Sequence, residues 1–189
     1  MKKILASLAI ALPLVGFSLQ AAAVPVTVFA QANSTSGGVG AATGINVSSG
    51  DDLWITVDSA DCWSAGTGNR TTNADGLVTP KPASCQTSDW VGDHTQGGLT
   101  APFASLVGSL DTGASFFLIG THFNQTMTQA GLLTLYFFDS NSGDNRDAVL
   151  AEVVNHGQRA VPEPGTVALL GLSLAGMGLL RRRRVNQAP

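Results

Sequence analysis

Between residues 24 and 160 the chain is cut every few positions by Gly, Ser, Thr and Asn, and no stretch there sustains an apolar stripe at helical spacing. A chain punctuated in this way has room for short strands but not for helices of ordinary length. Leu53, Ile55 and Val57 alternate with Trp54, Thr56 and Asp58, the pattern of a half-buried strand. Val24 to Ala32, Phe103 to Leu110, Ala114 to Thr121, Leu132 to Phe138 and Ala148 to Asn155 are further β-rich runs. In the run 132–138, Leu133, Leu135 and Phe137 fall on one face and Tyr136 and Phe138 on the other. Six or more such strands with turn clusters between them predict an all-β fold, an antiparallel β-sandwich. The segment 59–102 is the irregular part and is expected to form surface loops with room for one short strand.

The two ends read differently. Met1-Lys2-Lys3, an apolar run from Ile4 to Leu19 and the small residues Ala21-Ala22-Ala23 form a secretory signal helix, so residues 1–23 are expected to be removed before Val24. At the other end, Pro162-Glu163-Pro164 precedes the uncharged run 165–180 and then Arg181, Arg182, Arg183 and Arg184. As a transmembrane helix that run would reach roughly 24 Å at ~1.5 Å per residue. The hydrocarbon core is ~30 Å thick, and arginines can snorkel across the shortfall. A basic cluster on one side only keeps that side cytoplasmic, so the domain at 24–160 faces outward. The prolines before the span disfavour helix there and leave Pro-Glu-Pro extended and accessible.

Motif, span and arginine cluster, in that order, resemble the PEP-CTERM sorting signal of bacterial surface proteins, here over 161–189. The resemblance implies that a membrane exosortase recognises Pro162, Glu163 and Pro164 as a substrate, with Arg181 to Arg184 completing the signal. It also implies a host that makes exopolysaccharide. The expected location is the cell envelope or the extracellular space, with the C-terminal helix holding the chain in the membrane until it is processed.

Residues 24–160 contain four basic residues (Arg70, Lys81, Arg146 and Arg159) against twelve acidic ones, a net charge of −8. So acidic a domain lacks the basic patches that nucleic acid or an anionic membrane surface requires. His94, His122 and His156 are scattered, and neither a P-loop nor an H-E-x-x-H motif is present. Glu152 and Glu163 are the only glutamates, and Asp51-Asp52 and Asp144-x-x-Asp147 read as solvated turns. Nothing here spells an active site, and the reading is that the protein is not an enzyme.

Cys62 and Cys85 are the only cysteines, and in an exported chain the pair reads as one disulfide stapling the irregular segment. The stretch Asp139-Ser140-Asn141-Ser142-Gly143-Asp144-Asn145-Arg146-Asp147 is dense in oxygen ligands of the kind calcium takes. The same residue types build Asx-rich turns, and taken alone the stretch favours a turn.

The domain from about Val26 to Val154 also resembles the calcium-dependent galactophilic lectins of bacteria, a jelly-roll-like β-sandwich family. Gly50 to Val57 with the nearby Trp63, Phe103 to Gly108 followed by Phe117 to Gly120, and Gly131 to Asp139 followed by Asp144-Asn145 carry the likeness. It implies calcium bound by the side chains of Asp139, Asp144 and Asn145. Main-chain carbonyls would come from Asn141 or Ser142 and from the loop near Trp63. The hydroxyls of a galactose-type glycan would complete the metal's shell, so Asp139 and Asn145 also count as carbohydrate contacts, and His94 and Gln96 would touch a sugar hydroxyl. The chain departs from the family at the Cys62–Cys85 insert and in three further places. One residue separates His94 from Gln96 instead of two, the loop has no matching proline, and Arg146 stands where a small residue is usual. The expectation is an exported, exosortase-processed surface or matrix protein whose sandwich binds carbohydrate with calcium. The alternative is a structural matrix or biofilm protein with no defined sugar ligand.

Overall fold

The computed structural model describes residues 21–67, 70–81, 84, 85, 87 and 92–158. Residues 1–20 of the expected signal segment 1–23, the Pro-Glu-Pro motif, the membrane span and the arginine cluster lie outside the described residues. Among those described there are twelve strands and no helix. In chain order the strands are β1 (Val24–Phe29), β2 (Ala41–Val47), β3 (Asp51–Val57), β4 (Trp63–Ser64), β5 (Thr71–Thr72) and β6 (Asp93–Gln96). They continue as β7 (Leu99–Pro102), β8 (Leu106–Ser109), β9 (Phe117–Leu118), β10 (His122–Thr126), β11 (Gly131–Phe137) and β12 (Arg146–Gln158).

One sheet has six strands, in the order β10-β3-β12-β4-β5 with β1 also paired to β12. A second has four, in the order β2-β11-β8-β9, and β6 and β7 form a separate hairpin. The registered pairings are antiparallel. Alternation decides which side chains go inward. Val26 and Val28 of β1, Leu53 and Ile55 of β3, and Val149, Ala151 and Val153 of β12 meet Leu133, Leu135 and Phe137 of β11 and Leu106 of β8 in one buried cluster. Each large apolar side chain so buried contributes about 1.5–3 kcal/mol, and the two sheets share that core.

Strand β11 explains why its sequence is apolar on both faces. Leu133, Leu135 and Phe137 face the shared core, whereas Tyr136 and Phe138 join Val107 and Ala101 in a second cluster with Leu99 and Phe116 packed against it. Ala101 and Leu99 belong to β7, so the small hairpin covers the outer side of β11.

Three expectations are corrected. The segment 59–102 contains four strands, β4 to β7, rather than loops with a single short strand. Asp51 and Asp52 are not in a solvated turn: both lie in β3 and are buried. Asp51 accepts hydrogen bonds from the Ser48 amide and from Asn155 Nδ2, each at 2.9 Å, and Asp52 accepts one from the Thr126 hydroxyl. The run 114–121 supplies only the two residues of β9, because its start is tied into a turn around Asp111.

Candidate functional site

The acidic stretch leaves β11 at Phe137 and enters β12 at Arg146, so the ends of two strands from different sheets fix both sides of the loop. Its start is pinned by Thr35. The Thr35 hydroxyl donates to the Asp139 carbonyl at 2.9 Å, and the Asp139 amide donates back to that hydroxyl at 3.1 Å. Within the loop, Asn141 Nδ2 donates to Asp144 Oδ1 at 3.0 Å and the Asn145 amide donates to the Ser142 carbonyl at 3.3 Å. The Ser140 amide donates to Asp139 Oδ1 at 2.7 Å and the Gly143 amide to Asn141 Oδ1 at 3.2 Å, the local side-chain-to-backbone bonds that Asx-rich turns make.

Asp139 is almost fully buried. Burial pushes its carboxyl above the ordinary range, and the nearby charge of Asp144 adds to that. Hydrogen bonds from the Ser140 amide, the Asn145 side chain and the Asn141 amide pull the other way without cancelling it. Asp139, Ser140, Asn141 and Asp144 line a small cavity of about 130 Å³ together with Ala65, Arg70 and Phe103.

Asn145 is 4 % exposed, and its Oδ1 is the one buried side-chain atom among the described residues with no hydrogen-bond partner. Its Nδ2 donates to the Ala30 carbonyl at 3.2 Å, which fixes the amide's orientation and makes the open atom an acceptor. Leaving a buried acceptor unmet costs about 1–3 kcal/mol. A hard cation would meet it. Asp139 and Asp144 line the acidic cavity, while Asn145 turns its Nδ2 to Asp139 and lines a neighbouring cavity. Carboxylate, amide and main-chain oxygens are the donor chemistry that suits calcium and not a thiolate- or imidazole-seeking metal. Among the described residues no three His, Cys, Asp or Glu side chains gather as a metal cluster, so any cation here would depend on amide and main-chain oxygens as well.

The segment after Trp63 closes the same cavity. Strand β4 pairs with the first residues of β12, Ser64 opposite Arg146 and Trp63 opposite Asp147. Trp63 is fully buried, and its indole N–H donates to the carbonyls of Asn73 at 3.2 Å and Ala104 at 2.9 Å. Its ring meets Phe137 edge-on with centroids 4.6 Å apart. Gly66, three residues on, has φ of +112° and sits so close that a Cβ there would run into the Asp144 carboxylate. The loop near Trp63 is therefore brought against Asp144, and Gly66 is a residue of the site that charge and ligand chemistry did not single out. Its signal was the glycine itself, just after a buried tryptophan.

His94 and Gln96 lie two apart on β6 and so share a face. The His94 ring packs between Phe103 and Phe138, with centroids 5.1 Å and 4.8 Å away, and Phe103 lines the acidic cavity. His94 Nε2 is 3.1 Å from Gln96 Oε1, and Gln96 Nε2 donates to the Thr35 carbonyl at 2.9 Å. Thr35 thus links the β6 face to the Asp139 loop. Cys62 and Cys85 form a disulfide, with Cys62 immediately before β4.

Comparison with known proteins adds two findings. Residues 160–184 match the family described as the PEP-CTERM protein-sorting motif. The motif marks the chain as an exported protein that exosortase processes and sorts to the envelope. A solved structure described as "EclA N-terminal domain; PllA-like lectin" is similar at 21 % identity, over 72 % of this chain and 97 % of that one, with a TM-score of 0.47. No curated protein matches the chain.

Proposed function

We propose that the exported domain is a non-enzymatic carbohydrate-binding module, a jelly-roll-like sandwich that holds calcium through Asp139, Asp144 and Asn145 and presents it to a glycan. The observation that carries this reading is the orphaned Oδ1 of Asn145 beside a buried, charge-crowded Asp139. Bound calcium would supply a strong, oriented partner for a pair of vicinal hydroxyls. The chain's own part is to hold the ligands. Thr35 fixes Asp139, Ala30 orients Asn145, and the chain at Gly66 packs against Asp144. His94 and Gln96 flank this site through Phe103, and the ligand class is a neutral or acidic pyranose of an extracellular polysaccharide.

One observation favours the second reading, a structural matrix protein with no defined sugar. His94 Nε2 and both polar side-chain atoms of Gln96 are engaged, with each other and with the Thr35 carbonyl, so sugar contact through these atoms requires them to exchange partners.

Calcium titration of the mature domain is the first test. At a hundredfold excess over Kd, calcium should stabilise the fold by about 2.7 kcal/mol, and chelation should remove the effect. Asp139→Ala and Asn145→Ala should abolish that gain together with calcium-dependent retention on immobilised galactan. Stabilisation without sugar binding supports the structural reading. No response to calcium in the melting temperature and no glycan retention would end the proposal.

A further inference from the structure

Asn145 touches Asp139 on one side and on the other lines a second, larger cavity of about 530 Å³. Its other walls are Phe29, Gln31, Ala32, Arg146, Asp147 and Ala148. The cavity exists because of what β1 pairs with. Phe29 stands opposite Ala148, so its ring has no large cross-strand neighbour and remains 53 % exposed. Arg146, two residues before Ala148, lines the same cavity. Its guanidinium makes no ion pair or side-chain hydrogen bond among the described residues, although acidic residues outnumber basic ones three to one in the domain.

We propose that this cavity is a subsite for a carboxylate-bearing sugar, a uronate unit next to the sugar held at the calcium site. The inference rests on the proposed function above and names the substrate class, an acidic polysaccharide. The chemistry of each wall matches one part of such a unit. The open Phe29 ring offers an apolar face to the C–H side of a pyranose, over a floor made shallow by Ala32 and Ala148. Arg146 offers a planar fork of N–H donors that fits a carboxylate bidentately. Gln31 supplies an amide for a hydroxyl. Asp147 is the one lining carboxylate and opposes an anion, so the charge must sit at the Arg146 end. An acidic peptide would satisfy the arginine but would leave the aromatic and alanine surfaces without a sugar face to cover. The shared residue Asn145 places the two sites within reach of adjacent units of one chain.

Calorimetry on the mature domain with trigalacturonate and with its methyl ester isolates the charge, since the two differ only there. With calcium present, the acid should bind about tenfold more tightly than the ester, and Arg146→Gln should erase that difference. Phe29→Ala should weaken both probes. Equal binding of acid and ester by the wild type, or an unchanged ratio in Arg146→Gln, overturns the inference while the calcium reading stands. Arg146-dependent binding of the acid that persists in chelator supports the subsite and counts against the calcium reading. Triglutamate binding as tightly as trigalacturonate would show a site for charge alone and overturn the sugar assignment, as would failure of both sugar probes to bind.

Discussion

Gly66 shows how a single missing side chain can hold a site together. Its φ of +112° is a conformation that L residues rarely adopt, and the space where a Cβ would go is filled by the Asp144 carboxylate. Gly66→Ala should therefore cost about 1–3 kcal/mol in strain and push Asp144 away from Asp139. The expected outcome is a lowered urea midpoint together with weakened calcium binding, and a variant with normal calcium affinity would remove Gly66 from the site. Trp63, three residues earlier, works from the inside. Its two indole hydrogen bonds and its contact with Phe137 hold β4 where Gly66 can meet the acidic loop. The ligand candidates Asp139, Asp144 and Asn145 could be named from their chemistry alone. Gly66 and Thr35 could not, because a glycine and a threonine carry no ligand signature, and each acts through a neighbour more than 70 residues away in sequence.

At the scale of elements, turns do much of the positioning. The β6–β7 hairpin turns on Gly97 and Gly98, both with positive φ, so its two-residue loop has the geometry that Gly-Gly favours. That dipeptide was a readable hairpin signal in the segment expected to be loops. The flanking strands hid it, since Asp93-His94-Thr95-Gln96 and Leu99-Thr100-Ala101-Pro102 show little apolar alternation. Strand β2 was hidden for a similar reason: of its inward residues Ala41, Thr43, Ile45 and Val47, the first two are small or polar.

The turn between β8 and β9 is built on Asp111. Its carboxylate accepts hydrogen bonds from the hydroxyl and amide of Ser115 and from the hydroxyl of Ser109. Those bonds favour the ionised form and lower its pKa to about 2. The unfolded chain then binds the proton more tightly than the folded one, so the carboxylate's contribution is fully present above about pH 4 and is lost as pH falls through 2. Because Asp111 is exposed, salt should blunt the effect. An NMR titration should place its midpoint near 2, and Asp111→Asn should flatten the pH dependence of stability between 4 and 2. A midpoint close to the ordinary aspartate value would contradict this account of the turn.

For the molecule as a whole, the disulfide joins parts that the core reaches unevenly. Cys62 and Cys85 are 23 residues apart, and the loop they close carries β5, which has only two residues. Constraining an unfolded loop of that length is worth about 3 kcal/mol on chain-entropy grounds. Reduction, or the double substitution Cys62→Ser with Cys85→Ser, should lower the melting temperature accordingly. Because Trp63 anchors β4 independently, the oxidised and reduced forms should differ more in stability than in calcium affinity. The reverse pattern would show that the disulfide, and not the tryptophan, sets the loop.

The sequence alone determined that the chain is exported and sorted, because such signals are linear: a proline-glutamate-proline motif, an uncharged run and a cluster of arginines are read in order along the chain. It also determined the all-β character, because alternation along a strand is a local property. It could not determine which loops meet. The pairing of β4 with the start of β12 brings Gly66 to Asp144. The bonds of Thr35 bring β6 to Asp139, and the pairing of Phe29 with Ala148 leaves a cavity beside Arg146. Those contacts join residues far apart in the chain. Only the packing of two sheets on one core chose among the many partners each residue could have had.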